Sequence, residues 1–363
     1  MSRRRAAIAL AFALSAGAAA CGTVGGETFV RANAAADRHY SAGRFLDAAD
    51  AYDDAAKVAE RDRDRDEALY AAADAHWRAG DDAGAIERFD KLADAKPPND
   101  RSVRARYRAA ELRLARGDAD AAYAGFTRVF TEAPEHGVAR KALFSVVGRV
   151  EATKGKSSAI AFELELFPKF EGNRLGEELC FDVNRRREEI GQAQQALTGY
   201  LACVDRYPYP SGALFDDALI RASILHEKLG DAKAAIADCE RILAVRETSY
   251  ASGSYNRPLM ATAQFRIAEL QRDALGDKAA ARASFHKVYA NHPDSILRPK
   301  ALHAEAVLAH EANDASAACD LGEKLLDEFS WTRWARSCDA LCPALQARAQ
   351  KLRDERTDRK RAR

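Results

Sequence analysis

The sequence has no recognisable catalytic signature. It contains no HExxH, no G-x-S-x-G and no phosphate-cradling glycine loop, which argues against an enzyme. No run of alternating β-branched residues is long enough for a strand. The chain has 56 basic and 55 acidic residues, a formal net charge of +1. It turns slightly negative if Arg3, Arg4 and Arg5 leave with an N-terminal leader. A nucleic-acid partner needs a basic surplus, so none is expected. After the first 20 residues no hydrophobic run is long enough to cross a bilayer. Nothing indicates a small-molecule substrate or a cofactor. No paired His or Cys motif offers a tetrahedral metal site.

What the sequence does have is alanine-rich helical periodicity, in a composition 47% hydrophobic but only 8% aromatic. The stretch from Arg104 to Pro134 holds two short helices. Tyr107, Ala110 and Leu114 recur at helical spacing on one face. Gly117-Asp118 ends that helix and starts the next. Ala122, Phe126, Val129 and Phe130 form a second apolar stripe, and Pro134 stops it. The small residues at the crossing let the two backbones approach closely. Neither helix can bury its stripe alone, so the unit must stack on similar neighbours.

Those neighbours are present. Leu69 to Pro97 repeats the pattern through Ala73, Gly80, Ala85, Phe89 and Leu92. Phe265 to Pro293 repeats it through Gly276, Ala281, Phe285 and Val288, with one extra residue in its first helix. The Gly-Asp turn, the small residue five after the glycine and the aromatic four further on resemble the tetratricopeptide repeat, whose period is about 34 residues. The expected fold is therefore all-α, a solenoid of about eight helical hairpins with a C-terminal capping helix. The other repeats begin near Val30, Ala139, Glu177, Phe215 and Lys300. The fourth carries a longer turn at Lys154-Gly155-Lys156 and a second helix with Phe162, Leu164, Leu166 and Phe167. In the eighth, Asn313-Asp314 replaces the glycine turn. Residues 29–172, 173–247 and 259–329 are read as N-terminal, central and C-terminal repeats. A Gly/Ser/Asn loop at 248–258 separates the last two. Residues 330–363 form a capping helix and a basic tail with Arg359, Lys360, Arg361 and Arg363, and Trp331 and Trp334 supply the cover over the last apolar face. The run from Glu60 to Glu67 alternates in sign and reads as a solvated turn and helix start.

The N-terminus reads as a leader over residues 1–20, with Arg3, Arg4 and Arg5 before an apolar segment and small residues preceding Cys21. One reading is lipidation on Cys21 with a tether over 21–28. The other is ordinary cleavage, with Cys21 merely nearby. By its resemblance to bacterial lipoproteins, the chain is expected on the periplasmic side of the outer membrane, or else free in the periplasm. Six cysteines remain beyond Cys21, an even number that suits disulfides in an exported chain. Cys180 pairs with Cys203 across one repeat in this reading. Cys319 pairs with either Cys338 or Cys342.

The tetratricopeptide resemblance implies that first helices line a partner-binding groove. Asn33, Asp37, Tyr40, Tyr70, Asp74, Trp77, Arg104, Tyr107 and Glu111 would face it. The alternative is that the aromatics only stack between repeats. Asp37 and Asp74 favour an extended or basic peptide over an acidic chain end. Leader, repeats and the run from Phe285 to Ala301 (FHKVYANHPDSILRPKA) resemble two envelope families. These are the tetratricopeptide lipoprotein of the β-barrel assembly machinery and the periplasmic repeat protein of the Tol–Pal system. The resemblance implies a scaffold for protein partners in envelope assembly, secretion or motility, or alternatively a regulator of peptidoglycan synthases or hydrolases.

Overall fold

The computed structural model describes residues 26–245 and 258–361. The leader, Cys21 and residues 248–257 of the loop lie outside the described residues, as do the side chains of the basic tail. Among the described residues there is no strand. Helices follow in consecutive pairs: α1 (Glu27–Ser41) and α2 (Phe45–Lys57), α3 (Asp62–Arg78) and α4 (Asp82–Ala93), α5 (Asp100–Ala115) and α6 (Ala119–Glu132), α7 (Ala139–Lys154) and α8 (Lys156–Phe170). Then come α9 (Arg174–Glu189) and α10 (Ala193–Arg206), α11 (Phe215–Lys228) and α12 (Ala232–Ala244), α13 (Pro258–Asp273) and α14 (Lys278–Asn291), α15 (Arg298–Glu311) and α16 (Ala315–Glu328). A last helix, α17 (Gln346–Arg361), closes the chain. The helices fall into two compact units that divide at Glu163, inside α8.

A single turn design recurs within the pairs. Gly117 has φ of +86°, a left-handed conformation that favours glycine. Its N–H donates to Leu114 O at 3.1 Å, and the Asp118 N–H donates to Arg113 O at 2.9 Å. These two bonds make a Schellman motif, which satisfies the carbonyls left over at the end of α5. Asp118 then caps α6, its carboxylate accepting from Ala121 N. The same pair of backbone bonds closes the turns at Gly43, Gly80, Gly191 and Gly230. At Gly276 the second bond reaches one residue further back, from Asp277 N to Gln271 O, which accommodates the extra residue. Asn313 does glycine's work with φ of +60°, as Asn can.

Each turn fixes which residues of the following helix face inward. Tyr52, Phe89, Phe126, Tyr200 and Phe285, equivalent positions counted from the turn, are all buried. The crossing of α5 and α6 is tight, because a Cβ on Gly125 would stand 3.0 Å from the Cβ of Ala110. Within α5 itself the expected stripe is corrected at one position: Leu114 is 38% exposed, while Val103, Ala109 and Leu112 are buried. Leu114 sits in the last turn before the Schellman bend, past the contact with α6.

The fourth pair departs further from expectation. Its turn is shorter than in the other pairs, not longer: α7 ends at Lys154, Gly155 bends the chain, and α8 starts at Lys156. One residue joins the two helices where the other pairs have three or four, and the register of α8 counted from the glycine shifts by one. Ala159 and Glu163 therefore take the small and aromatic positions, both fully buried, and Leu164 rotates outward to 45% exposure. Glu163 is held by Arg186 of α9 at 3.1 Å, and Arg186 is also paired with Asp182. A buried carboxylate needs such a partner.

Cys180 of α9 and Cys203 of α10 form a disulfide, with Cα atoms 5.9 Å apart. Cys319 of α16 bonds Cys342, Cα atoms 5.0 Å apart. Cys338 is the alternative the structure rejects. It is unbonded and buried, turned into the core beside Gly322. Cys239 is also a buried free thiol.

The cap differs from a simple helix following α16. Two 3-10 turns, Ala335–Ala340 and Pro343–Leu345, precede α17. Ala335, Cys338, Cys342, Leu345 and Ala349 close over Leu302, Leu321 and Leu325 of α15 and α16. Leu345 reaches into the space that Gly322 leaves open where other repeats carry an aromatic. Trp334 is half-buried against this cluster. Trp331 is not part of the cover and stands 70% exposed, because the 3-10 residues have already closed the apolar face.

A Cβ on Gly117 would meet nothing within 4 Å, so substitution there tests backbone conformation alone. Gly117→Ala should cost about 1–2 kcal/mol in denaturant unfolding, and Gly117→Asn distinctly less; equal losses would contradict the turn design. The Cys180–Cys203 bond joins positions 23 apart in sequence. Replacing both with serine should lower stability by about 3 kcal/mol, read from the same unfolding curves.

Candidate functional site

In the first unit the first helices of successive pairs, α1, α3 and α5, approach one another, while each also packs on its own second helix. Counted from Gly43, Gly80 and Gly117, their side chains fall into three rows. Asn33, Tyr70 and Tyr107 form one, Asp37, Asp74 and Glu111 the next, and Tyr40, Trp77 and Leu114 the third. Repetition of the turn creates the rows, since it fixes the rotation of every first helix relative to its end.

The acidic row is engaged from within the chain. The Tyr52 hydroxyl donates to Asp37 at 2.6 Å, and Asn33 donates to the other oxygen of Asp37 at 3.3 Å. The Tyr40 hydroxyl donates across the repeat boundary to Asp74 at 2.8 Å. Arg108 pairs with Glu111 at 2.9 Å and lies 4.0 Å from Asp74. Arg104 turns back to Asp100 on its own helix at 3.0 Å.

The tyrosine rings stack inside their own pairs: Tyr70 on Phe89 with centroids 5.2 Å apart, Tyr107 on Phe126 at 5.4 Å, Tyr40 on Phe45 at 5.3 Å. Besides the Tyr40–Asp74 hydrogen bond, arginines of α5 link the repeats. Arg108 of α5 lies 4.8 Å from the Trp77 ring centre and Arg78 4.7 Å from it. Arg101 of α5 lies 5.3 Å from the Tyr70 ring. Such cation–π contacts are each worth about 0.5–1 kcal/mol when exposed. Trp77 is contacted in this way by two guanidinium groups. Reading the sequence for aromatics and acids missed Arg78, Arg101 and Arg108. Arg78 directly follows Trp77 and Arg108 directly follows Tyr107, a signal that was available; Arg101 carries no such local signal, since its partner Tyr70 lies in the preceding repeat.

The face is thus a set of half-buried aromatic rings framed by paired charges of both signs. Arg78 and Arg104 are exposed and can still offer hydrogen bonds to a backbone or carboxylate. Burial, followed by Glu111 beside it, pushes the Tyr107 hydroxyl up to about 12. Burial pushes the Tyr70 hydroxyl up as well.

Elsewhere, burial raises the Cys239 and Cys338 thiols, opposite to the shift that activates a nucleophile. Among the described residues, no group of three or more His, Cys, Asp or Glu could hold a metal ion. No helix among them is long and apolar enough to cross a membrane.

The family model for the tetratricopeptide repeat matches residues 67–97 and 262–295. Two segments of the chain carry this repeat. They correspond closely to α3–α4 and α13–α14. No curated protein matches the chain. Among solved structures, the C-terminal part of a repeat-containing protein from Cytophaga hutchinsonii is 11% identical, with 75% of this chain and 98% of that one covered and a TM-score of 0.44. PilF from Pseudomonas aeruginosa is 14% identical, covering 69% and 98%, with a TM-score of 0.38. PilW, described as a type IV pilus biogenesis factor, is 15% identical, covering 75% and 97%, with a TM-score of 0.31. Tetratricopeptide repeats bind protein or peptide partners.

The Tyr107 shift has a pH consequence. A folded value raised from about 10 to about 12 contributes stability that is complete below pH about 10. That stability is lost as pH rises toward 12. In an ultraviolet phenolate titration of the folded protein, Tyr107→Phe should remove one phenol from the step near 12, and Glu111→Gln should move that step down. A titration unchanged in both variants would contradict the assigned contact.

Proposed function

We propose that the protein is a non-catalytic scaffold whose first-helix face in the N-terminal unit holds a protein partner. We further propose that a lipid on Cys21 tethers it to the periplasmic side of the outer membrane. The observation that carries the binding reading is the set of aromatics in the two outer rows, Tyr70 and Tyr107 in one and Tyr40 and Trp77 in the other, held half-buried and framed by Arg78, Arg101, Arg104 and Arg108. Rigid aromatics and arginines on one face are the side chains that dominate binding energy at interfaces. With Asp37 and Asp74 already accepting from tyrosines, the face suits an extended segment of mixed charge better than a purely basic one. The leader and the two disulfides support an exported, oxidising location. Partners in envelope assembly, secretion or motility fit that location.

The test combines fractionation with site-specific crosslinking. A photocrosslinker at the exposed position Arg104 should capture a defined envelope protein, and Arg108→Glu should abolish the capture while the chain still melts cooperatively with its helical circular-dichroism spectrum intact, at a lower midpoint because the contacts to Glu111 and Trp77 are lost. Cys21→Ser should move the protein from the outer-membrane fraction to the soluble periplasm. Identical fractionation of Cys21→Ser would remove the lipid from this reading. Capture of cell-wall synthases or hydrolases would replace envelope assembly with peptidoglycan regulation.

A further inference from the structure

Two concavities open side by side at the C-terminal end of the second unit. The larger, about 480 Å³, is walled by Pro293, Ile296 and Pro299 from the α14–α15 connection and by Phe329, Trp331 and Trp334 beyond α16. Its Arg298 and Glu328 face each other at 3.5 Å, and Asp294 adds a carboxylate at its wall, so this concavity offers apolar walls but nothing that would attract a ligand carboxylate. The smaller, about 390 Å³, is bounded by Trp331, Arg336, Leu352, Glu355 and Arg356. Trp331 is the wall they share. Ile296 at 89% and Trp331 at 70% are the most exposed large apolar side chains among the described residues. Paired in this way around a concave surface, they mark an interaction site.

The smaller concavity has an unbalanced charge. Arg336 donates to Trp331 O at 2.9 Å, which holds its guanidinium beside the indole. Neither Arg336 nor Arg356 makes an ion pair among the described residues. Burial, then the nearby positive charge of Arg356, pulls the Arg336 guanidinium below its ordinary value. Glu355 lines the same concavity and offsets one of the two charges, leaving the site complementary to a single further carboxylate.

We propose that this double concavity around Trp331 is a second docking site, separate from the first-helix face. Its ligand is an extended peptide that places a bulky apolar side chain in the larger concavity and a nearby carboxylate against Arg336 and Arg356 in the smaller. Trp331 packs between the two groups and exchanges exposed indole surface for contact with the peptide. Two walled concavities, each roomy enough for a bulky side chain with adjoining backbone, favour a peptide over a flat lipid surface, which would need the apolar groups to protrude without walls.

The experiment selects a phage-displayed random dodecapeptide library on the purified full chain. The expected outcome is enrichment of peptides with an aromatic or aliphatic residue within a few positions of Asp or Glu. A fluorescein-labelled copy of the enriched peptide should bind Trp331→Ala at least about tenfold more weakly. It should bind the double variant Arg336→Glu, Arg356→Glu more weakly still, and weaken with rising salt on the unaltered chain. All three positions are at the surface, and unchanged melting curves would confirm that the variants are folded. Crosslinking through Arg104 should be unaffected, which separates this site from the first-helix face. Enriched peptides that bind Trp331→Ala equally well would overturn the proposal, as would enrichment of basic peptides. So would Trp331-dependent binding to phosphatidylglycerol vesicles with no peptide enriched, since that would make the patch a membrane contact.

Discussion

The architecture depends on one three-residue bend. A glycine in the left-handed region ends a helix through two backbone bonds, and after Gly80, Gly117 and Gly230 the next residue's carboxylate caps the following helix. The bend does more than reverse the chain. It fixes the rotation of both helices about their axes, so the small residue and the aromatic arrive in the core at the same place in each repeat. Because each pair is set identically, side chains on successive first helices line up into rows. The candidate binding face is a consequence of that alignment.

Departures from the bend show how strictly it controls the core. Shortening it to Gly155 alone turns Glu163 inward and Leu164 outward. The resulting buried carboxylate is paired with Arg186. In the sixth pair the aromatic position is filled by Cys239, whose thiol donates to Ser223 at 3.3 Å. In the eighth it is filled by Gly322, and Leu345 from the cap completes the packing. The second unit keeps stacked rings in the fifth and seventh pairs, Phe181 on Tyr200 and Phe265 on Phe285, and adds polar contacts and disulfides elsewhere. Cys180–Cys203 holds α9 to α10 in the pair whose interior also contains Arg186 and Asn184. Cys319–Cys342 ties the 3-10 cap to α16 beneath the exposed Trp331.

The two proposed surfaces differ in the same way. On the first-helix face, arginines are bound to rings and acids of the chain itself, so the surface is preorganised and close to electrically balanced. Beside Trp331, two arginines share a concavity with one glutamate, and the apolar walls are bare. The first is built to accept a partner with little rearrangement. The second has a specific deficit of charge and of apolar contact, which defines the chemistry of what covers it.

The sequence by itself determined the helical pairs, because glycine, Asp and the 3.6-residue period are local signals that need no partner. Ala85, Phe89, Ala122, Phe126, Ala281 and Phe285 could be assigned to the core on spacing alone, and so could the division into pairs. Tertiary structure decided whatever depended on register or on side chains distant in sequence. Spacing made Leu164 look like core, but the turn before it is shorter than in the other pairs. Trp331 looked like a cap, but the 3-10 residues had already covered the face. Either Cys338 or Cys342 was near enough in sequence to meet Cys319, and only the fold of the cap turned one inward and the other toward it. The aromatic and acidic rows were legible because they recur at a fixed distance from each turn. The arginines that bridge them were not, because a long flexible side chain reaches across repeats and its destination is set by packing rather than by spacing.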